Sequence, residues 1–178
     1  MKSLAFLVSL CLTIGIAPAQ DTSAPAKKVL ASHNGVAKTI RVMKTAGGFE
    51  RLMAIGALKD AILKKRPFST AEHDAIVTAL FQTASTRKEI EGLDVSNPAV
   101  EALVYLKAVK AIKTLGQSKF IHDQWVAIHG MNESVGFYWD ADCAKNYVNV
   151  AKQISRSKDP DLADEAKKFL RSVARTPR

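Results

Sequence analysis

An all-α fold follows from three features of this sequence. Apolar residues recur three and four positions apart in almost every segment, the spacing that gathers them on one face of a helix. Helix starts are written at Ser69-Thr70-Ala71-Glu72, Asn97-Pro98 and Asp159-Pro160. Nowhere does a run alternate apolar and polar residues as a half-buried strand would. With 47% of its 178 residues hydrophobic and no low-complexity tract, the chain can build a packed core, and its length is that of one domain.

The first element is a targeting signal. Met1-Lys2 makes a short positive start, residues 4–16 are apolar, and Ala17-Pro18-Ala19 is a small-x-small cleavage pattern ahead of Gln20. Residues 1–19 therefore read as a secretory signal peptide, too short to be a comfortable membrane span, and no later segment approaches the ~20 apolar residues that a spanning helix needs. The expectation is an exported, soluble protein, periplasmic or extracellular. Cys11 leaves with the signal, so Cys143 is the one cysteine of the mature chain and no intramolecular disulfide can form. Residues 20–26 read as a flexible polar leader before a single all-α domain over 27–178.

Within that domain, Val29, His33, Val36, Ala37, Ile40 and Met43 make the first stripe, with lysines and Arg41 outside it. Gly47-Gly48 separates it from a helix whose Phe49, Leu52, Met53, Ile55, Leu58, Ile62 and Leu63 cover more than one face, as a helix with neighbours on two sides requires. Pro67 ends that helix, and Ser69 with Glu72 forms a capping box for the next, which turns Ile76, Val77, Leu80 and Phe81 inward. Residues 86–96 are charged and turn-like. Asn97-Pro98 predicts a long helix with Val100, Leu103, Val104, Ala108, Ala111, Ile112 and Leu115 inward, stopped by Gly116. Residues 118–129 predict a shorter helix stopped by Gly130. Asp142 is the expected cap of a helix that buries Cys143, Tyr147, Val150, Ala151 and Ile154. Asp159-Pro160 opens the last helix, with Leu162, Ala166, Phe169, Leu170 and Val173 inward, acidic residues at its start and basic ones toward its end. Leu52, Leu80, Leu103, Trp125 and Leu170 are the expected core markers.

Asp159-Pro160-x-Leu162-x-x-x-Ala166-x-x-x-Leu170-x-x-Val173 and Asn97-Pro98-x-Val100-x-x-x-Val104-x-x-x-Ala108-x-x-Ala111 share one outline. That outline resembles the second helix of a HEAT-type repeat over residues 49–175, and the positions of Ser69, Asn97 and Asp159 leave room for three or four hairpins. The resemblance implies a short HEAT-like solenoid of stacked helical hairpins. An irregular helical bundle of well-capped helices fits the same residues and stays open beside it. In the repeat reading, residues 130–141 are an insertion carrying three adjacent aromatics, Phe137, Tyr138 and Trp139, and insertions in stacked repeats often emerge on the binding face. These three form the candidate binding loop, against a slightly stronger claim that two of them clamp the loop onto the helices beneath and the third closes a small satellite cluster.

Catalytic signatures are absent. There is no Gly-rich phosphate loop, no His-Glu-x-x-His, no Gly-x-Ser-x-Gly and no haem-attachment motif, so no cofactor is implied and the sequence leans away from an enzyme. His122 and His129 lie two turns apart on one helix, too few and too far apart for zinc, and no metal site is expected. Asp140, Asp142 and Glu133 lack the intervals of a calcium loop. Cys143 falls on an apolar stripe, where an inert thiol is expected. The chain is basic, with 26 Lys and Arg against 17 Asp and Glu. Lys64, Lys65 and Arg66, with the row Lys107, Lys110 and Lys113, form a candidate basic surface for an acidic envelope polymer, an anionic lipid or an acidic protein, against the favoured simpler reading of a solvated face. Nucleic acid is the weaker partner, because export separates the chain from most of it and no recognition motif is present. The functional expectation is an exported helical binding or scaffold protein of the bacterial cell envelope. The alternative is a small helical hydrolase acting on a cell-wall glycan or peptide, with Glu133 or Asp140 as acid or base. Oligomeric state leaves no trace in the sequence.

Overall fold

The computed structural model describes residues 35–135 and 139–175. These form α1 (Gly35–Thr45), α2 (Gly48–Leu63), α3 (Thr70–Ala84), α4 (Ser96–Tyr105), α5 (Val109–Gly116), α6 (Ile121–Glu133), α7 (Ala141–Ile154) and α8 (Pro160–Arg175). Among the described residues there is no strand, only an isolated bridge between Ile90 and Leu93. No described helix is long and apolar enough to cross a membrane. The signal peptide, the polar leader and His33, like Phe137 and Tyr138, lie outside the described residues.

Each substantial packing contact joins helices one or two places apart in sequence. α1 lies on α2 and α3, α2 on α4, α3 on α4, α4 on α5 and α6, α5 on α6 and α7, α6 on α7 and α8, and α7 on α8. The even-numbered helices form a continuous row, while the odd-numbered ones make two pairs, α1 with α3 and α5 with α7. This order fits stacked hairpins, interrupted on one side between α3 and α5, and equally a helical bundle. One core runs through the stack, including Met43, Leu58, Ile76, Leu80, Leu103, Ile112, Ile128, Tyr147 and Phe169.

Several starts and stops follow from local chemistry. Ser69 and Glu72 form the predicted capping box, with Glu72 N–H donating to Ser69 Oγ at 3.3 Å and Ser69 N–H to Glu72 Oε2 at 2.9 Å. Asp159 Oδ1 accepts from Leu162 N–H at 2.9 Å and opens α8.

Other expectations are corrected. Asn97 is not the cap of α4 but lies in its first turn: Val95 occupies the cap position without a side-chain bond, and Asp94 just before it accepts from Ser96 N–H at 2.8 Å and from the Asn97 side-chain amide at 2.7 Å. The single long helix expected from Asn97 to Gly116 is two, α4 and α5, because the backbone turns left-handed at Lys107 (φ 57°). Asp140 rather than Asp142 caps α7, its Oδ1 accepting from Cys143 N–H at 2.8 Å.

Gly130 does not stop α6, which continues through it to Glu133. A Cβ there would come within 2.7 Å of Val100 Cγ1, so the glycine lets α6 lie close on α4. Gly116 does end α5, yet it too is a contact residue, since a Cβ there would collide with Val150 Cγ1 of α7. The expected insertion at 130–141 shrinks accordingly to the connection after Glu133.

Leu80 and Leu103 are fully buried, whereas Leu52, Trp125 and Leu170 are only half-buried against the core. Ala37 is exposed, and Phe49 faces water with 54% of its surface accessible. Among the described residues Asp123 is the one fully buried carboxylate, at the start of α6. Arg87 grips it from Nε at 3.2 Å and Nη2 at 3.0 Å, Ser118 Oγ donates at 2.6 Å, and the Arg87 guanidinium also lies 3.6 Å from the Phe120 ring centre. This cluster ties the connection after α3 to the start of α6.

Candidate functional site

α2 and α4 end in the same way. After Leu63, Lys65 takes a left-handed backbone (φ 54°), with Lys65 N–H donating to Ile62 O at 2.9 Å and Arg66 N–H to Ala61 O at 3.0 Å. After Tyr105, Lys107 does the same (φ 57°), with Lys107 N–H donating to Val104 O and Ala108 N–H to Leu103 O, each at 2.9 Å. This paired bonding is the Schellman closure of a helix, and its left-handed position is ordinarily filled by glycine. A side chain there costs about 1–2 kcal/mol of backbone energy. Two lysines carry that cost, and the packing of α2 on α4 brings both to one place.

That place is a cleft of about 270 Å³ lined by Ile62, Leu63, Lys65, Tyr105 and Lys107. Its wall is apolar and aromatic and its rim is cationic. The Lys59 ammonium lies 5.4 Å from the Tyr105 ring centre, close enough for a cation–π contact, and also bonds to Glu101. Lys107 Nζ donates to Asp140 Oδ2 at 2.8 Å while Asp140 caps α7, so one carboxylate ties the cleft to the next hairpin. The Lys107 hydrogen bond and the Cys143 N–H hold the Asp140 carboxyl far below the usual carboxylate range, and the same bond raises Lys107. Both helices point their C-termini, which carry partial negative charge, toward this end, and a lysine at each offsets it.

Of the other residues of the basic surface, Lys64 is exposed beside the cleft, and the half-buried Arg66 packs over Phe68 at 5.8 Å. Lys110 and Lys113 share the outer face of α5, exposed to solvent. The structure thus joins Lys65 to Lys107 across the two sequence clusters. Tyr105 had no signal in the sequence beyond its being aromatic, since its role depends on where α4 breaks.

In the aromatic loop, Phe137 and Tyr138 lie outside the described residues. Trp139 packs inward, its ring centre 5.1 Å from that of Tyr147 in a T-shaped pair and 5.6 Å from that of Phe169. Trp139 Nε1 and the Tyr147 hydroxyl are both shut off from solvent with no hydrogen-bond partner among the described residues. Burial pushes the Tyr147 hydroxyl well above the ordinary phenol range.

His122 and His129 do share a face of α6, and with Trp125 they line a second pocket. No three His, Cys, Asp or Glu side chains converge to hold a metal among the described residues. Cys143 is buried, and burial, with the hydrogen bond to Asp140, pushes its thiol up to about 11, which keeps it protonated at neutral pH. Asp142 is exposed on the first turn of α7.

No protein-family model, no curated protein and no solved structure matches this chain. The HEAT likeness therefore rests on helix order and the shared start outline alone.

Proposed function

We propose that this chain is an exported helical binding or scaffold protein of the bacterial cell envelope, and that it receives an acidic group of a partner protein or envelope polymer in the cleft between the ends of α2 and α4. The observation that carries this reading is the pair Lys65 and Lys107. Two helices each place a lysine where glycine is favoured, and both lysines face one cleft with an apolar wall. Strained backbone is retained where surrounding structure and function over-determine it. The excess of basic over acidic residues adds a long-range attraction for anions, and the sequence of residues 1–19 supplies the export signal.

The hydrolase alternative has less support. Asp140 is held as a carboxylate by Lys107 and spends its other oxygen on the helix cap, which leaves it no proton to donate.

The test is a titration of heparin, as an acidic-polymer probe, into the mature protein at low and at physiological ionic strength. Binding that weakens with salt, and weakens further in Lys65→Ala/Lys107→Ala with the helical spectrum retained, is the expected result. Binding that ignores salt and both substitutions would overturn the reading. Mass spectrometry of the exported protein checks the first half of the proposal: it should begin at or near Gln20.

A further inference from the structure

A second pocket, of about 200 Å³, lies between the start of α4 and one face of α6, apart from the basic cleft. Its lining is Asp94 and Asn97 from the entry to α4, and His122, Trp125, Val126 and His129 from α6. The α6 residues follow the i, i+3, i+4, i+7 spacing, so they form one continuous strip of helix surface. On a helix packed over its whole inner side that strip would be aliphatic. Here it carries an indole and two imidazoles, all half-buried.

The polar groups are oriented before any ligand arrives. The two Asp94 oxygens are fixed by Ser96 N–H and by the Asn97 amide nitrogen. Each retains a second lone pair, and the Asn97 amide oxygen is a further acceptor. His122 Nδ1 is closed off from solvent, 3.5 Å from Asp123 Oδ1, while the side chain as a whole is 38% exposed. His129 has 40% of its side chain exposed, and its Nε2 lies 4.0 Å from Glu101 Oε1. No lysine or arginine is among the described residues that line the pocket.

We propose that this pocket binds a single neutral sugar ring of a glycan. The Trp125 indole offers a flat apolar surface for the C–H face of a pyranose. Asp94 and Asn97 accept hydrogen bonds from its hydroxyls, and the imidazoles donate or accept according to tautomer. Rival ligand classes fit less well. An anion meets a carboxylate and no fixed cation. An ammonium ion meets one carboxylate that already takes two hydrogen bonds, with two imidazoles beside it. A purely aliphatic group leaves five polar or amphipathic side chains facing it, with Val126 alone matched. The volume is below the ≈ 300 Å³ at which pockets begin to hold drug-sized ligands, which limits the occupant to about one ring.

The test is nuclear magnetic resonance titration of the mature protein with cellotriose, maltotriose and chitotriose in turn, with choline and inorganic phosphate as controls. Trp125→Phe assigns the Trp125 indole resonance. At least one trisaccharide should shift the Trp125, His122 and His129 side-chain signals saturably. Trp125→Ala should weaken that binding roughly three- to tenfold, whereas Trp125→Phe, which keeps a stacking face, should lose less. Asn97→Ala, at a half-buried position on the rim, should also weaken it and carries the test if Trp125→Ala fails to fold. Saturation by none of the three trisaccharides, a response to choline or phosphate alone, or affinity unchanged in the folded variants would each overturn the proposal.

Discussion

Replacing Lys65 by glycine should stabilise the protein while weakening the cleft. The backbone at Lys65 has φ 54°, a region where an L-residue costs about 1–2 kcal/mol relative to its right-handed form and glycine costs nothing. Glycine also loosens the unfolded chain, which returns about 0.4–1 kcal/mol of that advantage. A net gain of about 0.5–1 kcal/mol remains, or a rise in melting temperature of about 1–4 °C for a chain of this size. The matched control is the adjacent Lys64, whose φ of −78° is ordinary for an L-residue. Lys64→Gly removes the same charge but relieves no strain, so it should lower stability by about 0.5–1 kcal/mol. Urea unfolding followed by circular dichroism measures both variants, and heparin titration at two salt concentrations measures what each does to binding. Lys65→Gly should be the more stable and the poorer binder of the two. Equal stabilities would refute the strain argument, and equal losses of binding would refute the placement of Lys65 in the cleft. Lys107→Gly is a less clean probe, because its ammonium also holds Asp140.

Three further outcomes are expected. Gly116→Ala should destabilise the protein by about 1–2 kcal/mol in denaturant titrations, since overpacking against Val150 outweighs the roughly 1 kcal/mol gained in helix propensity, and Val150→Ala in the same chain should recover part of the loss. Leu103→Ala, at a fully buried position in α4, should cost about 2–5 kcal/mol by the same measurement. Burial alone would raise the Asp123 carboxyl, but the hydrogen bonds from Arg87 and Ser118 and the Arg87 charge outweigh it and leave it lowered. Its contribution is therefore complete above the unfolded value near pH 4 and is lost as pH falls below it, so Asp123→Asn should cost about 2 kcal/mol at neutral pH and flatten the acid limb of a stability–pH curve.

What could be read from the sequence divides by range. The Ser69 and Asp159 caps are legible because the bonds they make lie within three residues of themselves. The inward stripe of α7 is legible too, since Cys143, Tyr147, Val150, Ala151 and Ile154 are all buried. Gly130 misleads because a glycine in a helix reads as a stop, whereas its reason is Val100 on another helix. The break at Lys107 carries no turn residue, so an uninterrupted stripe ran straight through it. Lys65 and Lys107 are visible as charge, but their meeting depends on α2 lying on α4, a contact between segments that nothing local specifies. The two histidines were legible as sharing one helix, but Trp125 reads from the sequence as a core marker, and only the position of Asp94 and Asn97 turns the face they share into a pocket.

Because no described helix packs substantially on one more than two places away, residues 35–175 have little long-range closure to search for. Topology of this kind gives a low relative contact order, and folding should be fast for the chain's length, on the microsecond-to-millisecond scale of helical proteins. The same locality means that α1 and α8, the outermost described helices, do not brace each other. Opening of α8 need disturb only α6 and α7, and opening of α1 only α2 and α3. Amide hydrogen exchange should therefore be graded, fastest in the outermost hairpins and slowest around α4 and α6, where the continuous row has neighbours in both directions. Pulled from its two ends, such a stack would yield one hairpin at a time, lengthening in steps while the remainder stays folded.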